Sequence, residues 1–146
     1  MFSAVLMEIR EVYNETVVNH ALRPRNLGET RGATGYGRIT GSCGDTMEIW
    51  LEVAADKVVS ATFATDGCAA TLACGSMVTE LVKGKSLPQA LGISQQDVLD
   101  ALGGLPEGNK HCALLAVNTL RVAIKDYLTF KKEPWKRAYR TYSEGR

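Results

Sequence analysis

Thr46-Met-Glu-Ile-Trp-Leu-Glu-Val53, followed by the turn residues Ala55-Asp56 and by Val58-Val59-Ser-Ala61-Thr-Phe63, is the stretch on which the reading of the fold turns. Met47, Ile49, Leu51 and Val53 alternate with Thr46, Glu48, Trp50 and Glu52, the period-2 pattern of a strand with one buried and one mostly wet face. Val59, Ala61 and Phe63 then form the inner face of a returning strand, so residues 45 to 65 read as an antiparallel hairpin. Upstream, glycine is dense from Gly32 to Gly44, and residues 33 to 40 read as a first strand weakened by glycine. The Gly35-Tyr-Gly37 pair is no nucleotide loop. The third glycine falls at Gly41, and a strand follows where a phosphate-cradling helix should begin. Three short strands without an intervening helix predict an antiparallel meander.

On either side of the meander the period is helical. Leu6, Ile9, Tyr13 and Val17 predict an amphipathic helix over residues 5 to 20, ending before Pro24, with His20 in its last turn as a charge complementing the helix dipole. After Gly67, the apolar residues Leu72, Met77, Val78, Leu81 and Val82 predict a helix from Ala69 to Val82, closing at Gly84. Residues 86 to 103 read as two short helices, the second capped by Ser94 with Asp97 at the box position. An extended, exposed loop, Leu105-Pro106-Glu107-Gly108-Asn109-Lys110, then delivers His111-Cys112 to a last long helix, whose buried stripe is Ala113, Val117, Leu120, Ile124 and Tyr127. The whole is an α+β chain of one domain, a three-stranded antiparallel sheet packed against several helices.

The 146 residues suit a single domain, and 45% hydrophobic content suffices for a packed core. A net charge of +1 gives no global nucleic-acid or membrane footprint. The N-terminal Met-Phe-Ser-Ala-Val-Leu-Met is broken by Glu8 and Arg10, too soon for a secretory segment, and no 18-residue apolar run follows. The expectation is a soluble, cytoplasmic protein. In a reducing compartment, four cysteines are metal-binding or reactive rather than disulfide-bonded. No C-x-x-C occurs, which removes zinc ribbons and thioredoxin-type motifs.

Three of those cysteines sit at element boundaries. Gly-Ser-Cys43-Gly-Asp45 puts a thiol and a carboxylate in a glycine-flanked turn; Gly67-Cys68 comes 25 residues on, and His111-Cys112 another 44 on. Cys68 and Cys112 both fall at helix starts, where unpaired N–H groups favour the thiolate, so an anionic, thiolate-bound centre is expected. Three thiolates select zinc or an iron-sulfur centre over magnesium or calcium. Structural zinc sites use closely spaced ligand pairs, whereas here the ligands are scattered singly. A carboxylate among thiolates suits a centre built to be given away. Cys74, about 120° around the helix from Cys68, reads as a small buried hydrophobe.

Tyr13 to Gly28 (Tyr-Asn-Glu-Thr-Val-Val-Asn-His-Ala-Leu-Arg-Pro-Arg-Asn-Leu-Gly), Cys43-Gly-Asp45, Asp66-Gly-Cys68-Ala-Ala, Val78-Thr-Glu80-Leu-Val-Lys-Gly-Lys-Ser-Leu and Lys110-His111-Cys112-Ala resemble the iron-sulfur cluster scaffold family of the IscU and NifU N-terminal type, over residues 10 to 128. The resemblance implies a scaffold, not an enzyme, on which a 2Fe-2S cluster is assembled from iron and desulfurase-supplied sulfur and passed to apo-proteins. It implies that Cys43, Cys68 and Cys112 are the cluster thiolates, with Asp45 and His111 at the same centre. Sulfur acceptance falls on Cys112, with Cys68 or Cys43 as further acceptors. The implied partners are a cysteine desulfurase and apo iron-sulfur acceptor proteins, while monomer and cluster-bridged homo-oligomer both stay open from the sequence. The family's chaperone-recognition loop, Leu-Pro-Pro-Val-Lys, is here Leu105-Pro106-Glu107-Gly108-Asn109, which weighs against an Hsp70-type chaperone.

Residues 1 to 130 would form the scaffold domain, and Lys131 to Arg146 a tail with six basic and two acidic residues. Trp135, Tyr139 and Tyr142 would share one face of a terminal helix after Pro134. Docking on the slightly acidic body is favoured there over nucleic-acid binding. Two other functions compete with the scaffold. One is a zinc-binding structural or interaction domain built on the same ligands, which zinc in the isolated protein would suit. The other is a cysteine-nucleophile enzyme using Cys112 and His111, disfavoured because adjacent residues at a helix start project in different directions.

Overall fold

The computed structural model describes residues 9–135. The elements, in chain order, are α1 (Glu15–Leu22), β1 (Gly35–Thr40), β2 (Thr46–Ala54), β3 (Lys57–Thr65), α2 (Ala69–Val82), α3 (Leu87–Leu91), α4 (Gln95–Leu102), a 3-10 turn (Glu107–Asn109) and α5 (Lys110–Lys132). The sheet has the order β1-β2-β3 with both pairs antiparallel, the expected meander. Its inner face carries Met47, Ile49, Leu51, Ala61 and Phe63, all fully buried beneath α2 and α5. Burial of Met47, Ile49, Leu51 and Phe63 stabilises by roughly 1.5–3 kcal/mol each.

Three expectations need correcting. The returning strand buries Val58, not Val59, which is 55% exposed. A β-bulge between Glu52 and Val53 shifts the register there, so Val53 pairs with Val58 while Glu52 pairs with Ser60, and the extra residue turns Val59 outward. The first helix is not continuous. Residues 9–12 are helical, but Asn14 adopts extended backbone and its side chain accepts a hydrogen bond from Val17 N–H, capping a second helix that runs on to Leu22. The loop before His111 is not extended throughout: Leu105 is buried, and residues 107–109 form a 3-10 turn leading directly into α5.

Helix α2 has the expected bounds but buries more than its expected stripe. Ala70, Ala73, Cys74, Gly75 and Ser76 are buried together with Val78 and Val82, while Leu72, Met77 and Leu81 are half-buried. The helix lies between α1 and the sheet, and small residues permit that close approach. A Cβ on Gly75 would come 2.4 Å from the ring of Phe63. The outer sheet face is drier than expected at Trp50, which is 5% exposed and packs against Tyr36 with ring centroids 5.6 Å apart.

The glycines of β1 seat that strand on α5. A Cβ at Gly35 would lie 2.6 Å from the Ala123 carbonyl oxygen, and one at Gly37 would lie 2.5 Å from that of Thr119. Further along, Gly41 faces Leu115, so strand and helix run in opposite directions, and the end of β1 meets the start of α5. The outer edge of β3 is covered at two points. Phe63 exchanges backbone hydrogen bonds with Asn26 and Gly28, and Val58 does so with Gly84 and Lys85. Lys131 at the end of α5 reaches Asp56 in the hairpin turn at 2.7 Å. The shared aromatic face proposed for Trp135, Tyr139 and Tyr142 lies outside the described residues beyond Trp135.

Candidate metal centre

Four segments meet at one end of the sheet. The β1–β2 loop carries Cys43 and Asp45 and is held as a tight turn, with Gly41 N–H donating to the Asp45 carbonyl at 2.8 Å and Gly44 at φ +90°. The segment after β3 is tied to the same end. Thr46 N–H donates to Asp66 Oδ1 at 2.8 Å, and Thr65 Oγ1 donates to the Thr46 carbonyl at 2.6 Å. This lashing sets Gly67 and Cys68 beside Asp45, and Cys68 becomes the N-cap residue of α2. The antiparallel run of β1 against α5 brings the loop of Cys43 to the helix start that holds His111 and Cys112.

The sequence did not single out the residue at the middle. Thr71, fully buried, donates its hydroxyl to Asp45 Oδ2 at 2.9 Å, and its Oγ1 stands 3.4 Å from Cys112 Sγ and 3.7 Å from Cys68 Sγ. It lies one helical turn after Cys68 and so shares its face, a spacing that could have marked it. Gly67 completes the packing, since a Cβ there would be 2.7 Å from both Asp45 Oδ2 and Thr71 Cβ. His111 Nε2 is 3.8 Å from Cys112 Sγ. Cys43 and Cys68 are exposed, while Cys112 is 1% exposed. Among the described residues, no three His, Cys, Asp or Glu side chains are yet close enough together to hold a metal ion. Their donor types suit a thiophilic ion, but the ligands must close inward on it.

The two helix-start thiols differ. Partial burial opposes ionisation of Cys68, but the Thr71 backbone N–H and hydroxyl, with the Ala70 N–H, outweigh it and leave the thiol below its ordinary pKa. Burial instead pushes Cys112 up to about 11, against the Thr71 hydrogen bond and with Cys68, Cys43 and Asp45 adding to the rise. The expected bias toward the thiolate at both helix starts is therefore met in direction at Cys68 and reversed at Cys112. Cys112 is the third residue of α5, already inside the fold, and its burial overrides the helix terminus.

The other sequence candidates take structural places. Cys74 is fully buried, and burial raises its thiol far above the ordinary value. His20 Nδ1 is 2.7 Å from Ser76 Oγ, which also accepts from Arg25 N–H at 2.9 Å, so His20 ties α1 to α2 away from the cysteines. A cleft lined by Gln96, Leu99, Asp100, Gly104, Leu105 and Lys110 includes none of the five candidate ligands.

Known proteins resemble this chain over most of its length. The profile of the NifU-like N terminal domain family matches residues 12–134. The chain is 43% identical over 117 residues to the iron-sulfur cluster assembly scaffold protein IscU 1 of Archaeoglobus fulgidus, covering 80% of this chain and 76% of that one. It is 44% identical over 119 residues to the iron-sulfur cluster assembly scaffold protein IscU of Aquifex aeolicus, with the same shares. A crystal structure of a nitrogen-fixing NifU-like protein (N-terminal) from Brucella abortus has the same fold, with a TM-score of 0.64 at 18% identity, over 83% of this chain and 97% of that one.

Proposed function

The chain belongs to the NifU-like N terminal domain family, and on that premise we propose that it is a scaffold on which an iron-sulfur cluster is assembled and then handed to apo-proteins. The observation that carries the reading is the convergence of Asp45, Cys68 and Cys112 on one buried hydroxyl, with Cys43 and His111 beside them. The names of the relatives favour a scaffold over a zinc-stabilised interaction domain. The cluster is 2Fe-2S, held by Cys43, Cys68 and Cys112, with Asp45 or His111 completing the set. Zinc takes the same place in protein isolated in air.

Sulfur reaches the site from a cysteine desulfurase. An accepting thiolate attacks the outer sulfur of the desulfurase persulfide and releases the desulfurase thiolate. Cys43 and Cys68 are exposed and can meet such a donor directly. Cys112, the acceptor implied by the resemblance, is 1% exposed and must first be uncovered. The altered loop Leu105-Pro106-Glu107 disfavours an Hsp70-type chaperone. Among the described residues no helix is long and apolar enough to cross a membrane, which is compatible with work in the cytoplasm.

Anaerobic reconstitution with iron(III) and sulfide tests the proposal. The expected result is a visible chromophore with iron and sulfide in equal amounts, lost on mixing with apo-ferredoxin as the ferredoxin gains its own spectrum. Stoichiometric zinc that iron and sulfide do not displace would favour the interaction domain.

A further inference from the structure

Thr71 lies in the first turn of α2, where the residue four positions earlier is outside the helix and its hydroxyl is left to side-chain partners. Thr79, Thr119 and Thr129 each donate their hydroxyl to the carbonyl of the residue four positions earlier, at 2.8, 2.7 and 3.0 Å, as buried or helical threonines commonly do. The Thr71 hydroxyl faces three side chains instead, Asp45, Cys112 and Cys68. It is fully buried while Asp45 sits against it, and the two sulfurs already facing it are the alternative acceptors at hand. A hydroxyl carries one proton and can donate to one acceptor at a time. In the ion-free chain the carboxylate, nearer and more strongly accepting, accepts that hydrogen bond.

We propose that Thr71 is a positioning residue for the cluster, whose single O–H donates to Asp45 in the ion-free site and turns to donate to Cys112 Sγ when Asp45 turns to the metal. The inference rests on the scaffold reading of the same site. When the carboxylate leaves, an unpartnered buried hydroxyl is costly, and Cys112 Sγ at 3.4 Å is the nearer of the two sulfurs already facing it. No bond other than a hydrogen bond changes, and the hydroxyl keeps its proton throughout. The exchange has two effects. Asp45 is parked short of the metal position until an ion arrives, and the loaded centre gains an O–H···S hydrogen bond that draws electron density from the ligand sulfur. Hydrogen bonds to ligand sulfur are among the determinants of the electronic properties of such centres.

Cobalt(II) alone is a suitable probe, because thiolate-to-cobalt charge-transfer absorption reports the ligand sulfur directly and needs neither sulfide nor a partner protein. The experiment compares wild type, Thr71→Val, Thr71→Ala and Thr71→Ser, each saturated with cobalt(II) under anaerobic conditions. Loss of the hydrogen bond leaves the sulfur lone pair higher in energy, so the charge-transfer band moves to lower energy in Thr71→Val and Thr71→Ala. In Thr71→Ser it stays at the wild-type position. A structural role alone would not be rescued in band position by the hydroxyl. Wild-type band positions in either folded variant lacking the hydroxyl would overturn the proposal while leaving the scaffold reading intact. Absence of thiolate-to-cobalt bands from the wild type would overturn both.

Discussion

Gly67 lies against Asp45 so closely that a single added carbon would stand 2.7 Å from the carboxylate oxygen Oδ2. The same carbon would press on Cβ and Cγ2 of Thr71, also at 2.7 Å. Gly67→Ala therefore displaces Asp45, the start of α2 and Cys68 together. The expected outcome is a folded protein, destabilised by about 1–3 kcal/mol as overpacking generally does, that loads cobalt(II) or iron and sulfide poorly. Urea denaturation gives the first quantity and metal titration the second; wild-type loading would show that the close approach is not needed.

Asp45 follows Gly44, whose φ of +90° makes the turn, and is only half-buried. Because a carboxylate can leave iron for water or an incoming thiolate, Asp45→Ala is expected to assemble a cluster but release it more slowly, with the nearby His111 taking the vacant position. Decay of the visible absorbance in air, measured beside transfer to an apo-ferredoxin, checks this. A variant that sheds its cluster faster than wild type would make Asp45 an anchor.

Cys74 is enclosed by the core and makes no described hydrogen bond to the candidate ligands. Cys74→Ala should cost about 1 kcal/mol, the scale of trimming a small buried side chain, and leave cluster assembly unchanged. Loss of the chromophore in that variant would assign Cys74 a part in sulfur handling.

His20 gives the fold a pH dependence separate from the cysteines. Burial lowers its pKa below 6.5, with the Arg25 charge adding to the effect and Glu80 opposing it. Protonation is therefore easier in the unfolded chain. The contribution of His20 is complete above about pH 6.5 and is lost as pH falls through the lowered folded value. The difference in unfolding free energy between wild type and His20→Gln should accordingly shrink as pH is lowered through that window. A constant difference would mean that His20 keeps its ordinary pKa.

Elements with strong periodicity were legible without coordinates: the meander, α2 and its bounds, the Ser94 cap and the buried stripe of α5 as far as Ile124, Tyr127 being only half-buried. Each is fixed by local pattern. The misses came from interactions that cross the chain or break a period. Val58 and Val59 are equally apolar neighbours, and only the bulge opposite them decides which is buried. Asn14 reads as one more polar residue on a helix until its side chain is seen to cap Val17. At the site, cysteine, aspartate and histidine declare their chemistry by type. Threonine does not, and Thr71 meets Asp45 across 26 positions of sequence. Burial separates Cys68 from Cys112, although both begin helices.

The two bare positions of β1 set a length as well as a contact. Gly35 and Gly37 fix how α5 lies along the strand, and the strand leads into the loop of Cys43 while the helix carries Cys112 in its first turn. The gap between those two sulfurs is thus gauged by backbone packing at a site remote from either thiol. A methyl group added at Gly37 would lift the helix from its seat and open that gap without altering any ligand. The cluster would then serve as an indicator of sheet–helix alignment, its optical signal fading for a mechanical rather than a chemical reason.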